Sequence, residues 1–454
     1  MTTQSRTRVA DPHVQLSERP RLPDLPEGRF GRLFPELPGH QAGGDALLKY
    51  GAAHGPLESR PNVHAALGED NPRIAAGWPF FGQFIAHDIT HDRSPLQEAE
   101  NVSALQNFRA PRLDLECIYG AGPVGQPYLY DVHDPDKLLI GSSQSPIGDL
   151  PRNPQGLALV GDARNDTHLF ISQLHLAFLH FHNRIVDKLR AEEVAAGEVF
   201  ARASRMVRWH YQWIVLHEFL PLSVGDDLVE ELLESGPKVC RFGEKPFIPV
   251  EFSDGAYRFG HAQICEKYDV NRNLRAASMF PDLVGICPVT PERQVDWKLF
   301  FEVDGEKPPQ ASRRISPQLV PSLMRLPDAL VGQIPRPEFS SLASRDLYRG
   351  HSVALPSGEA IAEALRLSPC TQTELKTSAP FRDTPLWLYV LAEAEVQHKG
   401  ERLGDVGGRI VAEVMYELLR KDPTSFLNSP GWQPELARAN GDFGIVDLLQ
   451  WAGV

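Results

Sequence analysis

Apolar positions recur at a helical period in residues 77 to 92, which read Gly-Trp-Pro-Phe-Phe-Gly-Gln-Phe-Ile-Ala-His-Asp-Ile-Thr-His-Asp. Pro79 suits the first turn of a helix, and the apolar residues after it permit the helix to continue. In such a helix Gln83 and His87 are four residues apart and share one face, whereas Asp88 is turned away by about 100°. The pattern therefore predicts a short helix with an amide and an imidazole on one side and a carboxylate on another.

The same period predicts four further helices over residues 167–192, 197–222, 384–398 and 405–420. Asp166 is a suitable N-cap for the first of them, and Arg420 and Lys421 suit the end of the last. Strictly alternating strand patterns are scarce, and no internal repeat is visible. We therefore expect a mainly α fold with long ordered loops and few short strands.

Proline, arginine and glycine are frequent in residues 1–45, which predicts an extended N-terminal arm ahead of a single domain over residues 46–454. Residues 93–165 are rich in Asp, Pro and Gly and contain no long periodic segment. A long irregular stretch inside a compact protein is usually functional or held in place. A bound ion or cofactor could hold this one.

Composition narrows the function classes. The chain of 454 residues carries a formal net charge of −13, which argues against nonspecific nucleic-acid binding and against a basic membrane-surface helix. No run of 18 apolar residues and no signal-peptide pattern is present, so we expect a cytoplasmic protein without a membrane anchor. Secretion by a non-classical route stays open. The five cysteines are scattered and indicate neither a disulfide framework nor a metal site.

Single histidines carry little information alone. His87 on an apolar helix is more often a hydrogen-bonded core residue than a catalytic one, with Asp88 as a capping carboxylate. Five more histidines lie on the two helices predicted over residues 167–222, and their spacing matches no recognised metal motif. We expect structural roles for these five, which are His175, His180, His182, His210 and His217.

Six short motifs in order change this interpretation. They are Gly-Gln-Phe-Ile-Ala-His-Asp (82–88), Leu-Asp-Leu-Glu-Cys-Ile-Tyr-Gly (113–120), Gly-Asp-Ala-Arg-Asn-Asp (161–166), His-Asn-Arg (182–184), Tyr-Arg-Phe-Gly-His (257–261) and Leu-Tyr-Arg-Gly-His-x-x-x-Leu-Pro-Ser-Gly (347–358). With them, residues 45 to 430 resemble the animal-type haem peroxidases of the peroxidase–cyclooxygenase superfamily, most closely the bacterial soluble members. Each motif alone is weak, but their order and spacing are specific.

The resemblance implies a haem site. His261 would be the proximal iron ligand through a neutral imidazole nitrogen. His87 would be the distal base that takes a proton from hydrogen peroxide and returns it to the leaving oxygen. Arg164 would stabilise the charge on that oxygen, and Gln83 would hold water or a halide on the distal side.

The resemblance also implies how the haem is held. Arg258 and Arg349 would pair with the haem propionates, although either could instead form a loop ion pair. Asp346 stands where the family usually has an Asn that accepts a hydrogen bond from the proximal histidine; alternatively it caps a helix or pairs with a neighbouring arginine. Family members that esterify haem use carboxylates at the positions of Ala86 and Thr167, so we expect non-covalent haem b.

A calcium site also comes with the family. Asp88, the Arg112 carbonyl, Asp114 and Glu116 would be its oxygen ligands, which suit Ca²⁺. Ala110 departs from the usual Thr, so one side-chain ligand is missing. The alternative is a loop in which Asp88 and Asp114 cap backbone amides.

These features predict a peroxidase that uses hydrogen peroxide to oxidise a small electron donor, with a role in the response to oxidative stress. Two alternatives use the same haem: a specialised oxidase acting on a bound metabolite, and a fatty-acid dioxygenase. Dioxygenases of the cyclooxygenase type need a Tyr three residues before the proximal His, where this chain has Arg258, and the adjacent Tyr257 would point elsewhere. A non-enzymatic haem-binding protein would not need His87 and Arg164 together. The donor, halide use and oligomeric state stay open.

Overall fold

Helices dominate the computed structural model, which describes residues 18–26, 28–59, 69–91, 102, 105–141, 148–332, 334–377, 379–438 and 441–454. The predicted mainly α fold class is confirmed. The α-helices are α1 Gly44–Gly51, α2 Trp78–Ile89, α3 Glu116–Tyr119, α4 Gly122–Gly125, α5 Leu169–Ala191, α6 Val199–Ile214, α7 Leu220–Val224, α8 Asp226–Ser235, α9 Val250–Ser253, α10 Pro321–Met324, α11 Asp328–Val331, α12 Leu342–Ser352, α13 Gly358–Ala364, α14 Gln372–Leu375, α15 Leu386–His398, α16 Asp405–Lys421 and α17 Ile445–Ala452.

The strands are short and form three two-stranded sheets in the described residues. Phe30–Gly31 (β1) pairs in parallel with Ile248–Pro249 (β3), and Asp70–Ala75 (β2) pairs antiparallel with Ala311–Arg313 (β6). Lys267–Tyr268 (β4) pairs antiparallel with Ala277–Ser278 (β5). These small sheets attach loops to the helical body and do not form a core of their own.

The core is built around α5, which packs against α2, α6 and α17. Its side chains are buried along most of its length, because apolar residues cover nearly every face of the helix. Phe84 of α2 stacks on Phe178 of α5 with ring centroids 4.6 Å apart. Burying rings of this size is a large apolar contribution to stability. The packing fixes α2, and with it the candidate site, against the centre of the molecule.

The predicted helices are present with shifted ends. The stretch predicted over residues 197–222 is α6, a π-helical turn over Val215–Phe219, and α7 in succession. The predicted N-cap of α5 is wrong: the cap is His168, whose ring nitrogen accepts a hydrogen bond from the Ile171 amide. Asp166 is instead drawn into a buried ion pair with Arg152, at 2.7 Å.

The described part of the predicted N-terminal arm lies along the body. The Arg19 amide donates to the Lys238 carbonyl, and the Leu22 amide donates to the Arg241 carbonyl. The guanidinium of Arg32 donates to the Val353 carbonyl at 2.6 Å. Among the described residues, no helix combines the length and the apolar character needed to cross a membrane.

Candidate active site

Helix α2 presents Gln83 and His87 on one face, as the sequence predicts. Pro79 occupies the first turn, where its missing N–H is tolerated, and Thr90 ends the helix in an extended conformation. Phe80 and Phe84 are fully buried and anchor the helix in the core. The apolar face therefore fixes the rotation of α2, and with it the direction of the two polar side chains.

His87 is buried and makes a short hydrogen bond. Its Nδ1 lies 2.7 Å from Oδ1 of Asn165, so the ring carries a proton on Nδ1 and donates it. Burial, with the nearby Arg164 cation, lowers the pKa of His87 to about 3. The imidazole is therefore neutral at pH 7, and Nε2 has no hydrogen-bond partner among the described residues. A neutral ring with a free Nε2 lone pair is a proton acceptor.

Arg164 lies in a 3-10 helix, Ala163–Asp166, directly before α5. Its Nε donates to Asp162 at 3.0 Å, and its Nη2 donates to Asp162 and to the carbonyl of His87 at 3.1 Å. Arg109 shares the same carboxylate, with Nη2 2.8 Å from Oδ2 of Asp162. The bond to the His87 carbonyl fixes the guanidinium beside the helix turn that bears the candidate base.

Gln83 is held by a residue that the sequence interpretation missed. Oε1 of Gln83 lies 2.7 Å from Nε2 of His168, the capping residue of α5. Because Nδ1 of His168 accepts the Ile171 amide, its proton sits on Nε2 and is donated to Gln83. The Gln83 carbonyl thus accepts from His168, and the amide nitrogen of Gln83 has no hydrogen-bond partner among the described residues.

His261 lies in a 3-10 helix, Ala256–Gln263, that packs against α2. The Tyr257 hydroxyl donates to the Gly82 carbonyl at 2.9 Å and joins this segment to the turn that carries Gln83. A Cβ added at Gly260, the residue before His261, would meet no atom within 4 Å, so open space lies beside Gly260.

Asp346 of α12 is the partner of His261, as the sequence predicts. Nδ1 of His261 lies 2.6 Å from Oδ2 of Asp346, and Arg258 donates to the other oxygen at 2.9 Å. Burial alone would raise the pKa of Asp346, but the interactions with His261 and Arg258 outweigh it, and the pKa lies below its usual value. The bond to Asp346 uses Nδ1 of His261, and the His261 side chain is 32% exposed. A histidine with Nδ1–H on a carboxylate and Nε2 available is the donor geometry of a metal-ligating imidazole.

Arg258 and Arg349 converge on one buried carboxylate. Nη2 of Arg258 lies 2.9 Å from Asp254 Oδ1, and Nε of Arg349 lies 3.0 Å from the same oxygen. Burial lowers the pKa of Arg349 to about 10, a cost that an added anion would offset. Both arginines thus form the ion pairs of the alternative interpretation, and their contact with haem propionates stays a prediction.

The predicted calcium ligands are only partly brought together. The Asp88 carboxylate accepts the amides of Leu115 and Cys117, and Asp114 accepts the amide of Glu116. Glu116 itself pairs with Arg109 at 2.7 Å. In the described residues no three His, Cys, Asp or Glu side chains are placed to hold a metal ion. The loop shows the contacts of the amide-capping alternative, and calcium binding stays a prediction.

The histidines of α5, α6 and the π-helical turn show structural contacts in line with the expectation for them. His182 contacts the Tyr119 hydroxyl and the Asp136 carbonyl, His210 contacts the Met206 carbonyl, and His217 stacks on a tryptophan. His175 is different, because its Nδ1 accepts a hydrogen bond from Asn165 beside the candidate base.

A helical body that carries one histidine on a carboxylate and a second, neutral histidine beside an arginine has the side chains that a haem-binding redox site needs. The family model for animal haem peroxidases matches residues 98–379, more than half of the chain. The protein therefore belongs to the animal haem peroxidase family, within the peroxidase–cyclooxygenase superfamily. Membership in this family implies an oxidoreductase that binds haem.

Human thyroid peroxidase is 30% identical over 200 residues, and the match covers 38% of this chain. The Caenorhabditis elegans peroxidase mlt-7 is 33% identical over 111 residues, which is 24% of this chain. The matched stretches span only 21% of thyroid peroxidase and 15% of mlt-7, so this chain covers a minor part of these relatives.

Solved structures share the fold at low identity. Peroxidase A from Dictyostelium discoideum superposes with a TM-score of 0.63 at 14% identity, covering 96% of this chain and 93% of that chain. The Oryza sativa fatty acid alpha-dioxygenase superposes with a TM-score of 0.58 at 16% identity, covering 91% of this chain and 77% of that chain. These likenesses show the architecture alone.

Proposed function

We propose that this protein is a haem peroxidase that cleaves hydrogen peroxide heterolytically and oxidises a small electron donor. The observation that carries the proposal is the state of His87. Its Nδ1–H is bound by Asn165, its pKa is about 3, and it lies beside Arg164. A neutral imidazole next to a permanent cation is the pair that peroxide cleavage requires.

The residues around His261 fit haem. His261 would bind the iron through Nε2, and Arg258 and Arg349 would bind the propionates. When bound, haem supplies the redox centre that takes two electrons from the donor and passes them to peroxide. Ala86 and Thr167 carry no carboxylate, so haem b would be held by coordination and packing alone.

His87 moves the proton in this mechanism. Nε2 accepts the proton of one peroxide oxygen and returns it to the other, so that water leaves in place of hydroxide. Arg164 stabilises the negative charge that develops on the departing oxygen. Its Nη1 has no hydrogen-bond partner among the described residues, so this nitrogen can donate to peroxide while Nε and Nη2 keep their contacts.

Gln83 would bind a hydrogen-bond acceptor on the same side. Its carbonyl is occupied by His168, which leaves the amide N–H groups to contact water, peroxide or a halide. The buried setting of His87 excludes competing water from the proton transfer.

A dioxygenase acting on a bound fatty acid is the second candidate, because the overall architecture matches a fatty acid alpha-dioxygenase. The residue three positions before His261 is Arg258, which cannot carry a tyrosyl radical. The neighbouring Tyr257 directs its hydroxyl to the Gly82 carbonyl. A specialised oxidase of a bound metabolite would use the same His87 and Arg164. It would differ from a general peroxidase only in the electron donor that it oxidises.

The test is stopped-flow mixing of haem-loaded protein with hydrogen peroxide. His87→Ala should slow the reaction by about 10²–10⁴-fold, because the general base is lost. His217→Ala is the matched control, since His217 lies on the outside of the helical body and stacks on Trp213. An unchanged rate in His87→Ala would exclude this base.

Steady-state assays then separate the candidates. Phenols and halides with peroxide should be oxidised by the wild-type protein. Palmitic acid with oxygen alone should not be. Oxidation of the fatty acid without added peroxide would instead support the dioxygenase.

A further inference from the structure

We propose that Asn165 and His175 are positioning residues that hold His87 in the tautomer with a free Nε2, and so set its capacity to act as a base. The inference rests on the proposed function, because it concerns the same base.

Three buried polar side chains form a continuous chain across three elements. Nδ1 of His87 in α2 lies 2.7 Å from Oδ1 of Asn165, and Nδ2 of Asn165 lies 3.0 Å from Nδ1 of His175 in α5. Asn165 is fully buried, and the two histidines are buried as well. Hydrogen bonds shielded from water are retained, because breaking one leaves a buried polar group without a partner.

The amide is the directional member of this chain. One end of the Asn165 side chain only accepts hydrogen bonds and the other only donates them. When Oδ1 faces His87, the histidine must carry its proton on Nδ1, and Nε2 keeps its lone pair. If the amide turned over, its N–H would face Nδ1 of His87, the proton would move to Nε2, and the base would be lost.

His175 holds the amide in the productive direction. Its Nδ1 accepts the N–H of Asn165, so turning the amide over would require His175 to change tautomer as well. Burial lowers the pKa of His175 to about 3, so the ring stays neutral and keeps a nitrogen able to accept. The edge of the His175 ring also packs on Phe84 of α2, with centroids 6.4 Å apart, and this contact fixes its position.

Asn165 directly follows Arg164, and one 3-10 turn positions both side chains. The same 3-10 turn aims the guanidinium at the His87 carbonyl and the next side chain at the His87 ring. One short segment therefore controls both the cation and the protonation state of the base.

The test uses haem-loaded protein with two variants of Asn165. Asn165→Leu keeps the volume and removes both hydrogen bonds, and we expect the peroxide reaction to slow by about tenfold or more. Asn165→Asp restores an acceptor for His87 and should recover most of that loss. Asn71→Leu is the matched control, because Asn71 is equally buried but bonds to the carbonyls of Gly400 and Glu401.

Two ligands separate positioning from general damage. Hydrogen cyanide must give its proton to a base as it binds ferric haem, so its association should slow with the peroxide reaction. Carbon monoxide binds ferrous haem without proton transfer, and its association with Asn165→Leu should match the wild-type rate. A purely structural role for Asn165 would slow both ligands together.

If Asn165→Leu reacts with peroxide and binds carbon monoxide at the wild-type rates, the inference is overturned and the proposed function stands. Equal slowing of cyanide and carbon monoxide binding in this variant would have the same meaning. A wild-type protein that does not react with peroxide would overturn the proposed function first. If Asn165→Leu does not fold, His175→Phe is the variant that tests the inference. It should slow peroxide and cyanide several-fold, and His175→Gln, which restores an acceptor, should reverse the effect; wild-type rates in His175→Phe would overturn the inference.

Discussion

Asp346 replaces the asparagine usual in the family, and Asp346→Asn tests what the carboxylate does. The variant keeps the shape of the side chain and removes its charge. Oδ2 of Asp346 lies 2.6 Å from Nδ1 of His261, and the carboxylate is completely buried. The Asp346 pKa lies below its usual value because His261 and Arg258 outweigh the cost of burial, so the group is ionised at pH 7. A carboxylate in this position draws on the imidazole proton and makes His261 a stronger electron donor.

The expected effect is an increase in the Fe(III)/Fe(II) reduction potential. A hydrogen bond to a charged acceptor contributes about 1.5–3 kcal/mol and a neutral one about 0.5–1.5 kcal/mol. Arg258 already neutralises part of the carboxylate charge, with its Nη1 2.9 Å from Oδ1, so we take a difference near the lower end, about 1 kcal/mol. With about 1.4 kcal/mol corresponding to 59 mV in a one-electron couple, Asp346→Asn should raise the potential by about 40 mV.

Spectroelectrochemistry on both haem-loaded proteins measures this shift. Asp254→Asn is the control, because it removes a buried carboxylate from Arg258 and Arg349 without touching His261. It should move the potential less than Asp346→Asn does. No shift, or a shift to lower potential, in Asp346→Asn would show that the carboxylate does not act on the iron through His261.

Three further predictions concern cofactor binding and stability. His261→Ala should lose bound haem or its normal absorption spectrum, and an unchanged spectrum would mean that another residue ligates the iron. Acidified organic solvent should extract the haem from denatured protein, because Ala86 and Thr167 cannot form ester bonds; haem that stays with the polypeptide, with a matching mass shift, would contradict this. Arg152→Met should lower the free energy of unfolding by about 3–5 kcal/mol, because Asp166 is left as a buried charge without its partner. Denaturant unfolding measures the change. A loss below about 1 kcal/mol would show that water or another side chain replaces the lost partner of the carboxylate.

Local periodicity predicted the part of the site that lies on one helix. The common face of Gln83 and His87 follows from helical geometry alone, and α2 has it. The pairing of His261 with Asp346 spans 85 residues and came from resemblance to a family, since no local pattern encodes it. The Asn165 and His168 contacts with α2 span similar distances and were missed, because their partners are known only once α2 and α5 are packed.

The wrong N-cap and the untested calcium ligand have one physical feature in common. Asp166 looked like a helix cap, and Glu116 looked like a calcium ligand, because each is a suitable oxygen at a suitable position. Each instead pairs with an arginine, Asp166 with Arg152 and Glu116 with Arg109. A guanidinium takes two carboxylate oxygens in a fixed geometry and outcompetes a single backbone amide. Sequence position alone does not show which acid an arginine will reach.

The Asp162 carboxylate has a consequence for how this site can change over evolution or in engineering. It is a shared acceptor: Arg109 and Arg164 both donate to its Oδ2, at 2.8 and 2.7 Å, and Arg109 also holds Glu116. A substitution at Arg109 would release Glu116 and leave Asp162 bonded to Arg164 alone among these two arginines, which would change how the guanidinium beside His87 is held. Changes in the loop and at Arg164 should therefore be epistatic, so that the effect of each on catalysis depends on the residue present at the other.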